Sequence, residues 1–386
     1  MWKSAVKTVF VSFLLIYFLS CQEAKVKIFD EKDTISYSTS NIVIKLDKFT
    51  PFSDGMVLSE IFNDELIISN QINKSVDRYS LKNGELISRI KIDDHEELKG
   101  LKLAGSKVID SEKILIVFNY FIHKSALFDF SGNIIKNDIF SFADSKQFYN
   151  LIVYNGLPII IKDSIYYISG WPIGKTSREK FLRTSWCELN IETSELKMHD
   201  LPYPPNLSNL TNKSGKDFLA ILVYKTVSND GTIIWGWPGS NSLGIQSGSD
   251  LDSVIFVQTK NNTVSVETSY KSLRPDLKYM LDYPTFISMF YDRINNCFYR
   301  IGLFPTIRSM ECSPITYQCM LKKDVVIQII DSSFREIGAI YLPHSTYDVF
   351  HSFVYNGTLY ISENNLFNPK LNEDQLVFSG FNFYSD

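Results

Sequence analysis

Short runs of apolar residues, alternating or β-branched in character, recur along the chain and are separated by polar turns. A clear early example consists of residues 65–69, 75–81 and 85–92, the last two runs being joined by Asn83-Gly84. Two such runs linked by Asn-Gly are the strongest short-range signal of a β-hairpin. The pattern therefore predicts antiparallel strands joined by tight turns. Helical patterns are confined to two insertions, residues 177–183 and 269–281.

The turns near residues 84, 132, 193, 261 and 332 are separated by 48, 61, 68 and 71 residues. Each interval has room for four short strands, and four-stranded units repeated at such a period are typical of a β-propeller. The sixth unit ends with the strand at 375–383 and is one strand short. Residues 40–46, at the other end of the chain, are expected to supply that strand and close the ring, which removes an exposed sheet edge. We predict an all-β propeller of six four-stranded blades, with seven or eight blades as alternatives and paired β-sandwiches as the rival architecture.

The N-terminus has the features of a secretory signal. Lys3 and Lys7 precede an apolar run, residues 8–19, that is shorter than the about 20 residues needed to span a bilayer. The ending Phe18-Leu19-Ser20-Cys21 resembles the lipobox of bacterial lipoproteins, in which cleavage before the cysteine leaves it lipidated. An ordinary signal peptide with a chance cysteine is the alternative. We predict a signal peptide at 1–20, a lipidated tether at 21–40 and a single propeller domain at 41–386.

Composition supports the strand prediction. The 386 residues include 28 Phe and 21 Tyr but only seven Ala, and strands favour aromatic residues whereas helices favour Ala. The formal net charge of −4 argues against a nucleic-acid partner, because phosphate binding requires a basic face.

Cysteine usage fits an exported protein. Apart from Cys21, the chain has Cys187, Cys297, Cys312 and Cys319. The last two are seven residues apart and are candidates for a disulfide that staples one loop, with buried free thiols as the alternative. No pair has the C-x-x-C spacing of zinc or thioredoxin chemistry.

Taken together, the lipobox, about 360 further residues of long-period hairpins and two short motifs are similar to a known group of proteins. The motifs are Tyr291-Asp292-Arg293 and Phe298-Tyr299-Arg300. They resemble the propeller-like lipoproteins of Bacteroidetes, including the family catalogued as domain of unknown function 4221. The resemblance implies a propeller fold and an outer-membrane lipoprotein that faces the periplasm or the outside. It implies no activity.

Three groups of residues are candidates for binding. Gly170-Trp171-Pro172 and Gly236-Trp237-Pro238 each follow a strand and recur 66 residues apart, so both Trp rings can stack on a sugar from one face of the ring, or can plug gaps between blades. Arg293, Tyr299 and Arg300 can hold a carboxylate or sulfate, or pair with an Asp of a neighbouring blade. His351 precedes a strand of the last blade and can add a donor to the same face.

Catalytic and metal-binding templates are not found in the sequence, and no cofactor or metal is predicted. The leading hypothesis is a lipid-anchored envelope propeller that binds a ligand, such as a glycan, or an envelope protein on one face. The alternative is a polysaccharide lyase or hydrolase with an axial active site. A purely structural subunit of an envelope complex is a third class, and the sequence does not decide whether the protein is an enzyme.

Overall fold

The structure is a computed structural model. It divides into two units at Asp33/Thr34, and only the second, Thr34–Asp386, is described here. The predicted signal peptide and Cys21 lie outside the described residues. The residues described are 36–50, 52, 56–119, 125–137, 148–153, 156–162, 165–173, 185–190, 196–200, 223–248, 253–258, 281–282, 284–314 and 316–383.

Nearly all of the regular structure in these ranges is β-strand, as the composition predicts. The strands are β1 (Tyr37–Lys45), β2 (Met56–Phe62), β3 (Glu65–Asn70), β4 (Ser75–Ser80), β5 (Leu86–Lys91), β6 (Lys102–Val108), β7 (Lys113–Asn119), β8 (Ser125–Asp129), β9 (Ile134–Asn137), β10 (Phe148–Ile152), β11 (Ile160–Lys162), β12 (Ile165–Ile173), β13 (Ser185–Asn190), β14 (Leu196–Asp200), β15 (Tyr224–Val227), β16 (Ile233–Gly236), β17 (Ser242–Gln246), β18 (Ser253–Phe256), β19 (Thr285–Asp292), β20 (Cys297–Phe304), β21 (Asp324–Asp331), β22 (Glu336–Leu342), β23 (Asp348–Tyr355), β24 (Thr358–Ser362) and β25 (Gln375–Phe383).

The helices in the described ranges are short. They are α1 (Ile307–Met310) and the 3₁₀ turns Ile92–Asp94, Glu96–Leu98 and Tyr317–Lys322. In the described part of the chain, no helix has the length and apolar character that crossing a bilayer requires.

The strands form six antiparallel sheets, which we number in chain order. Sheets 1, 2, 4 and 5 are β2–β5, β6–β9, β15–β18 and β19–β22; sheet 3 is β10–β14; sheet 6 is β23, β24, β25 and β1. Neighbouring strands are consecutive in the chain except in sheet 6, where β1 pairs with β25 from Tyr37↔Phe383 to Lys45↔Gln375. Residues 37–40, predicted as part of the tether, are therefore already strand.

Local sequence explains where several hairpins turn. Gly84, between β4 and β5, has φ 72°, and Gly132, between β8 and β9, has φ 91°. Only glycine adopts such angles without strain, so Asn-Gly and Ser-Gly specify these turns. The predicted turn near 332 also joins two strands, β21 and β22. The predicted turns near 193 and 261 lie outside the described residues.

The interior of the protein lies between facing sheets. Apolar clusters join sheet 1 to sheet 2, sheet 2 to sheet 3, sheet 3 to sheet 4, sheet 5 to sheet 6, and sheet 6 back to sheet 1. Sheets 4 and 5 meet through the Arg300 side chain described below. Each sheet thus packs on the next, which is the packing of a propeller-like arrangement.

The first strands of sheets 5, 6 and 1 end close together. At one end, Asn295 Nδ2 donates to the Gly357 carbonyl (2.9 Å) and Tyr355 Oη donates to Asp64 Oδ1 (2.7 Å). All of these groups lie where a first strand turns into a second strand. We call this side of the molecule the first-turn side, and the other side the opposite side.

Candidate functional site

Arg300 on β20 links sheet 5 to sheet 4 and is completely buried. Its Nε donates to Tyr224 Oη (2.5 Å) and its Nη2 donates to the Ser240 carbonyl (2.5 Å). The guanidinium also lies 3.6 Å from the centre of the Phe286 ring, a cation–π contact that is strong when water is excluded. Desolvation lowers the pKa of Arg300, while the Tyr224 hydroxyl and the charge of Glu336 act to raise it.

Two glycines make room for the rings that hold Arg300. Gly236 is paired with Tyr224, and a Cβ at Gly236 would overlap the Tyr224 ring. Gly302 is paired with Phe286, and its Cβ would lie 3.1 Å from Phe286 Cδ1. Each ring therefore lies across a glycine on the neighbouring strand. This accounts for the glycine of Gly236-Trp237-Pro238 as an element of packing.

Two further polar side chains, those of Gln328 and Glu336, lie near Arg300 in sheet 5. Gln328 stands directly opposite Arg300 across β20 and β21, and its Nε2 donates to Glu336 Oε2 (2.7 Å). Arg300 Nη1 and Gln328 Oε1 are buried without a hydrogen-bond partner among the described residues.

Tyr299 points to the other face of β20, because successive side chains of a strand alternate. Its Oη donates to Asp292 Oδ2 (2.8 Å), and Asn295 Nδ2 donates to the same oxygen (2.7 Å). Burial, together with Cys297 and Asp292, raises the pKa of Tyr299. The motif residues Asp292 and Tyr299 thus fasten the turn between β19 and β20.

His351 links sheet 6 to sheet 1 on the opposite side. Its Nδ1 lies 2.7 Å from Asp348 Oδ2 and its Nε2 lies 2.9 Å from the Met56 carbonyl. The imidazole is 5% exposed and contacts the edge of the Phe52 ring. A carbonyl oxygen only accepts, so Nε2 donates to the Met56 carbonyl, and Nδ1 faces the Asp348 carboxyl group. The Asp348–His351 pair therefore joins sheet 6 to sheet 1.

Trp237 is 1% exposed and packs between sheets 3 and 4, among Tyr167, Val223 and Trp235. The prediction that it forms an exposed stacking platform is wrong, because its ring fills the space between two sheets. The backbone of Trp171 pairs with Asn150 in β12 and β10, and its side chain lies outside the described residues. The binding role of Trp171 stays a prediction.

The candidate binding residues do not meet on one exposed face. Arg293 is exposed in the turn between β19 and β20, whereas Tyr299, Arg300 and His351 are buried with internal partners. Arg300 and Trp237 lie on two different boundaries between sheets, and His351 lies on a third. Arg300 does contact a neighbouring sheet, but its hydrogen-bonded partners there are a hydroxyl and a carbonyl and not an Asp. Ligand binding at these side chains stays a prediction.

Among the cysteines whose side chains the structure describes, two form a disulfide. Cys312 and Cys319 are bonded, with their Cα atoms 5.9 Å apart, and they close the connection between β20 and β21. Cys297 is a buried free thiol, and burial raises its pKa to about 11. Within the described ranges, no group of three or more His, Cys, Asp or Glu residues is placed to hold a metal ion.

A family model described as a domain of unknown function, DUF4221, matches residues 25–338. The chain belongs to the DUF4221 family. The predicted resemblance is thereby confirmed for most of the chain, including both motifs around residues 291–300. No curated protein sequence matches the chain.

Two solved structures similar to this DUF4221 chain come from Bacteroides. A DUF4221 member from Bacteroides vulgatus is 22% identical, with a TM-score of 0.73, over 92% of this chain and 100% of its own. A protein from Bacteroides fragilis whose description calls it exported is 9% identical, with a TM-score of 0.53, over 90% of this chain and 96% of its own. At these identities the likeness establishes the fold alone.

Sequence reasoning missed several residues that organise this DUF4221 chain. Tyr224, Phe286 and Asp348 hold Arg300 and His351 in place, but no local pattern marks them. Lys225 is a further example, since its buried Nζ donates to the Tyr167 carbonyl and to Ser169 Oγ, both at 3.0 Å. Tyr224 and Phe286 each face a glycine on the paired strand. That pairing would have marked them, but it can be recognised only after the strand register is known.

Proposed function

We propose that this DUF4221 protein is exported, is held at the outer membrane by a lipid on Cys21, and binds a ligand or an envelope protein through its opposite side. The observation that carries the binding role is an asymmetry between the two sides. In sheets 1, 5 and 6 the connections on the first-turn side are tight, at residues 63–64, 293–296 and 356–357, although the turn at 71–74 on the opposite side of sheet 1 is short as well. On the opposite side the connection from β20 to β21 covers 305–323 and that from β24 to β25 covers 363–374. Long loops on a rigid scaffold are where recognition usually resides.

The opposite side also exposes apolar side chains. Ile307 is 69% exposed in the disulfide-closed connection, and Phe367 is 37% exposed in the connection of sheet 6. Phe49 and Ile72, at the same end of sheet 1, are 64% and 65% exposed. Exposed apolar groups on ordered loops suit the contact surface of a partner.

The Cys312–Cys319 disulfide supports export. Disulfides persist in oxidising compartments such as the periplasm and are rare in the reducing cytosol. A secretory signal ending at Cys21 is consistent with the same destination, as is the exported description of the Bacteroides fragilis protein of similar fold.

We further infer that the six sheets are six blades of one ring and that β1 completes the last blade. The cyclic order of packing supports this inference, as do the nine paired positions of β1 and β25. The Lys45 N–H also donates to the Gly84 carbonyl (2.8 Å), so the end of β1 bonds to sheet 1 as well.

The lipid anchor is tested by growing the full chain in a lipoprotein-processing bacterium with a radioactive fatty acid. The wild type should carry label and sediment with membranes, whereas Cys21→Ser should lose both properties. A labelled Cys21→Ser chain, or an unlabelled wild type, would refute the anchor.

Binding is tested separately by thermal unfolding of the mature chain with soluble polysaccharide fragments. A ligand at 100 times its Kd adds about 2.7 kcal/mol to the free energy of unfolding and raises Tm measurably. Crosslinking in intact cells covers an envelope-protein partner, with Ile307→Asp expected to reduce the crosslink. If no fragment shifts Tm and no crosslink depends on Ile307, the binding role is refuted.

A further inference from the structure

Arg293 and Ile294 stand out on the first-turn side. Both are exposed, and Ile294 is 68% exposed, among the highest values of any large apolar side chain in the described ranges. The turn that carries them is held firmly, because Asp292 Oδ1 accepts hydrogen bonds from the N–H groups of Ile294 (2.9 Å) and Asn295 (3.2 Å). Ile294 is therefore displayed to solvent by a fixed backbone.

The first strand begins close to this turn. The Tyr37 ring lies 6.5 Å from that of Phe383, which lies 5.0 Å from that of Tyr299. Tyr299 Oη in turn donates to Asp292 Oδ2 (2.8 Å). The chain that leads from Cys21 therefore enters the folded domain beside the turn that displays Arg293 and Ile294.

We propose that Tyr37, Arg293 and Ile294 form a corner that rests on the bilayer in which the acyl chains of Cys21 are embedded. Ile294 enters the interface, Arg293 lies against lipid phosphate, and Tyr37 sits at the level of the headgroups, where its amphipathic ring is favoured. This inference rests on the lipid anchor of the proposed function and adds an orientation to it. The opposite side, with its long connections, then faces away from the membrane.

Tethering makes such a small contact effective. Sixteen residues lead from Cys21 to Tyr37, which limits the reach of the chain to about 50–60 Å when fully extended. A short linker gives an effective concentration in the millimolar range for a second contact. One apolar side chain and one cation would not recruit a free protein, but they suffice to orient a domain that is already anchored nearby.

The charges favour the first-turn corner over the opposite side. Ile72 is as exposed as Ile294, at 65%, and lies at the other end of β3 from the first turn of sheet 1. Near it, Lys74 is paired with Asp93 (3.0 Å) of the connection between β5 and β6. In that connection Glu96 is paired with Lys99 (3.3 Å), and Asp94 and Glu97 are exposed. Carboxylates repel an anionic lipid surface, whereas the exposed guanidinium of Arg293 attracts it.

The test places a photo-crosslinking amino acid at position 294 or position 72 in the full chain. Expressed in a lipoprotein-processing bacterium and irradiated in intact cells, the position-294 protein should yield at least about tenfold more phospholipid adduct by mass spectrometry. Ile72 is the matched control because its exposure is nearly the same. Equal adducts at the two positions, or more at position 72, would overturn the orientation.

Arg293→Glu, combined with the probe at position 294, should lower the adduct severalfold without changing the thermal unfolding curve. The fatty acid on Cys21 is measured on the same samples. A lipidated chain with no adduct at position 294 refutes the orientation and leaves the anchor intact. A chain with no fatty acid refutes both.

Discussion

Gly236→Ala is the substitution whose effect follows most directly from the boundary between sheets 4 and 5. An added methyl group at position 236 would overlap Cε2, Cζ and Oη of Tyr224. Non-bonded carbon atoms need a separation of about 3.5 Å or more, so the ring must move by more than about 1 Å. That movement separates Tyr224 Oη from Arg300 Nε, which are now 2.5 Å apart.

Two costs add in this variant. Forcing an extra methyl group into a packed interior costs about 1–3 kcal/mol. Losing a hydrogen bond to a buried charged group costs about 1.5–3 kcal/mol, since Arg300 is fully buried and cannot regain the bond from bulk water. We expect the free energy of unfolding to fall by about 2.5–6 kcal/mol, a large share of the stability of an ordinary domain.

Urea unfolding followed by tryptophan fluorescence measures the change. Gly248→Ala is the matched control, because its Cβ would meet nothing within 4 Å and its stability should change by less than about 0.5 kcal/mol. In a Tyr224→Ala background the overlap disappears, so Gly236→Ala should cost less than about 1 kcal/mol there. If the cost of Gly236→Ala is the same with and without Tyr224, the steric argument is wrong.

Three further predictions concern the cysteines and one carboxylate. Burial raises the pKa of the Cys297 thiol to about 11, so this thiol should resist alkylation at pH 8 until the protein is unfolded. Mass spectrometry of the peptide that contains Cys297 checks this, and rapid alkylation of the folded protein would contradict it. Cys312→Ser should lower the free energy of unfolding by about 2–3 kcal/mol in urea, and a reducing agent should reproduce the loss only in the wild type. Desolvation raises the pKa of Asp47, but hydrogen bonds from Thr50 and Arg89 outweigh it, so that the pKa of Asp47 in the folded protein lies below 3.8. The ionised carboxylate therefore stabilises the fold above pH 3.8, and this stabilisation is lost as the pH falls through the lowered pKa. Asp47→Asn should therefore flatten the acid side of the curve of stability against pH, and an unchanged slope would refute the assignment.

Features that depend on local chemistry were predictable from the sequence. Gly84 and Gly132 mark turns because their positive φ angles require glycine, and the short spacing of Cys312 and Cys319 allowed the bond that forms. Residues 37–45 form β1, which pairs with β25. That strand alternates weakly, and only Ile44 of its nine residues is buried. The position of β1 is determined by the otherwise unpaired edge of β25 and not by the hydrophobic pattern of β1 itself.

Sheet 4 shows where the pattern fails. Among the described residues of this sheet, β18 pairs with β17. The sequence of β17, Ser-Leu-Gly-Ile-Gln, follows Pro-Gly-Ser-Asn and precedes Ser-Gly-Ser, so composition marks the region as loop. Its strand is formed because β16 offers a free edge and Leu243 is fully buried. Tertiary packing overrides the local preference here.

Residue roles were harder to predict because they depend on partners far away in the chain. His351 is held by the Met56 carbonyl, 295 positions earlier, and Arg300 by Tyr224, 76 positions earlier. Alternation along a strand does establish that Tyr299 and Arg300 face opposite ways. It does not establish that both faces are covered, since that requires a sheet on each side.

The Phe298-Tyr299-Arg300 motif can now be assigned a physical purpose. Tyr299 fixes the turn that begins at Asp292 and packs toward sheet 6, whereas Arg300 reaches across to sheet 4. Adjacent residues of one strand therefore bind sheet 5 to both of its neighbours. A motif used in this way specifies the architecture and need not contact a ligand. Residues that determine what the protein binds should instead be sought in the long connections at 305–323 and 363–374, where the ordered backbone displays Ile307 and Phe367.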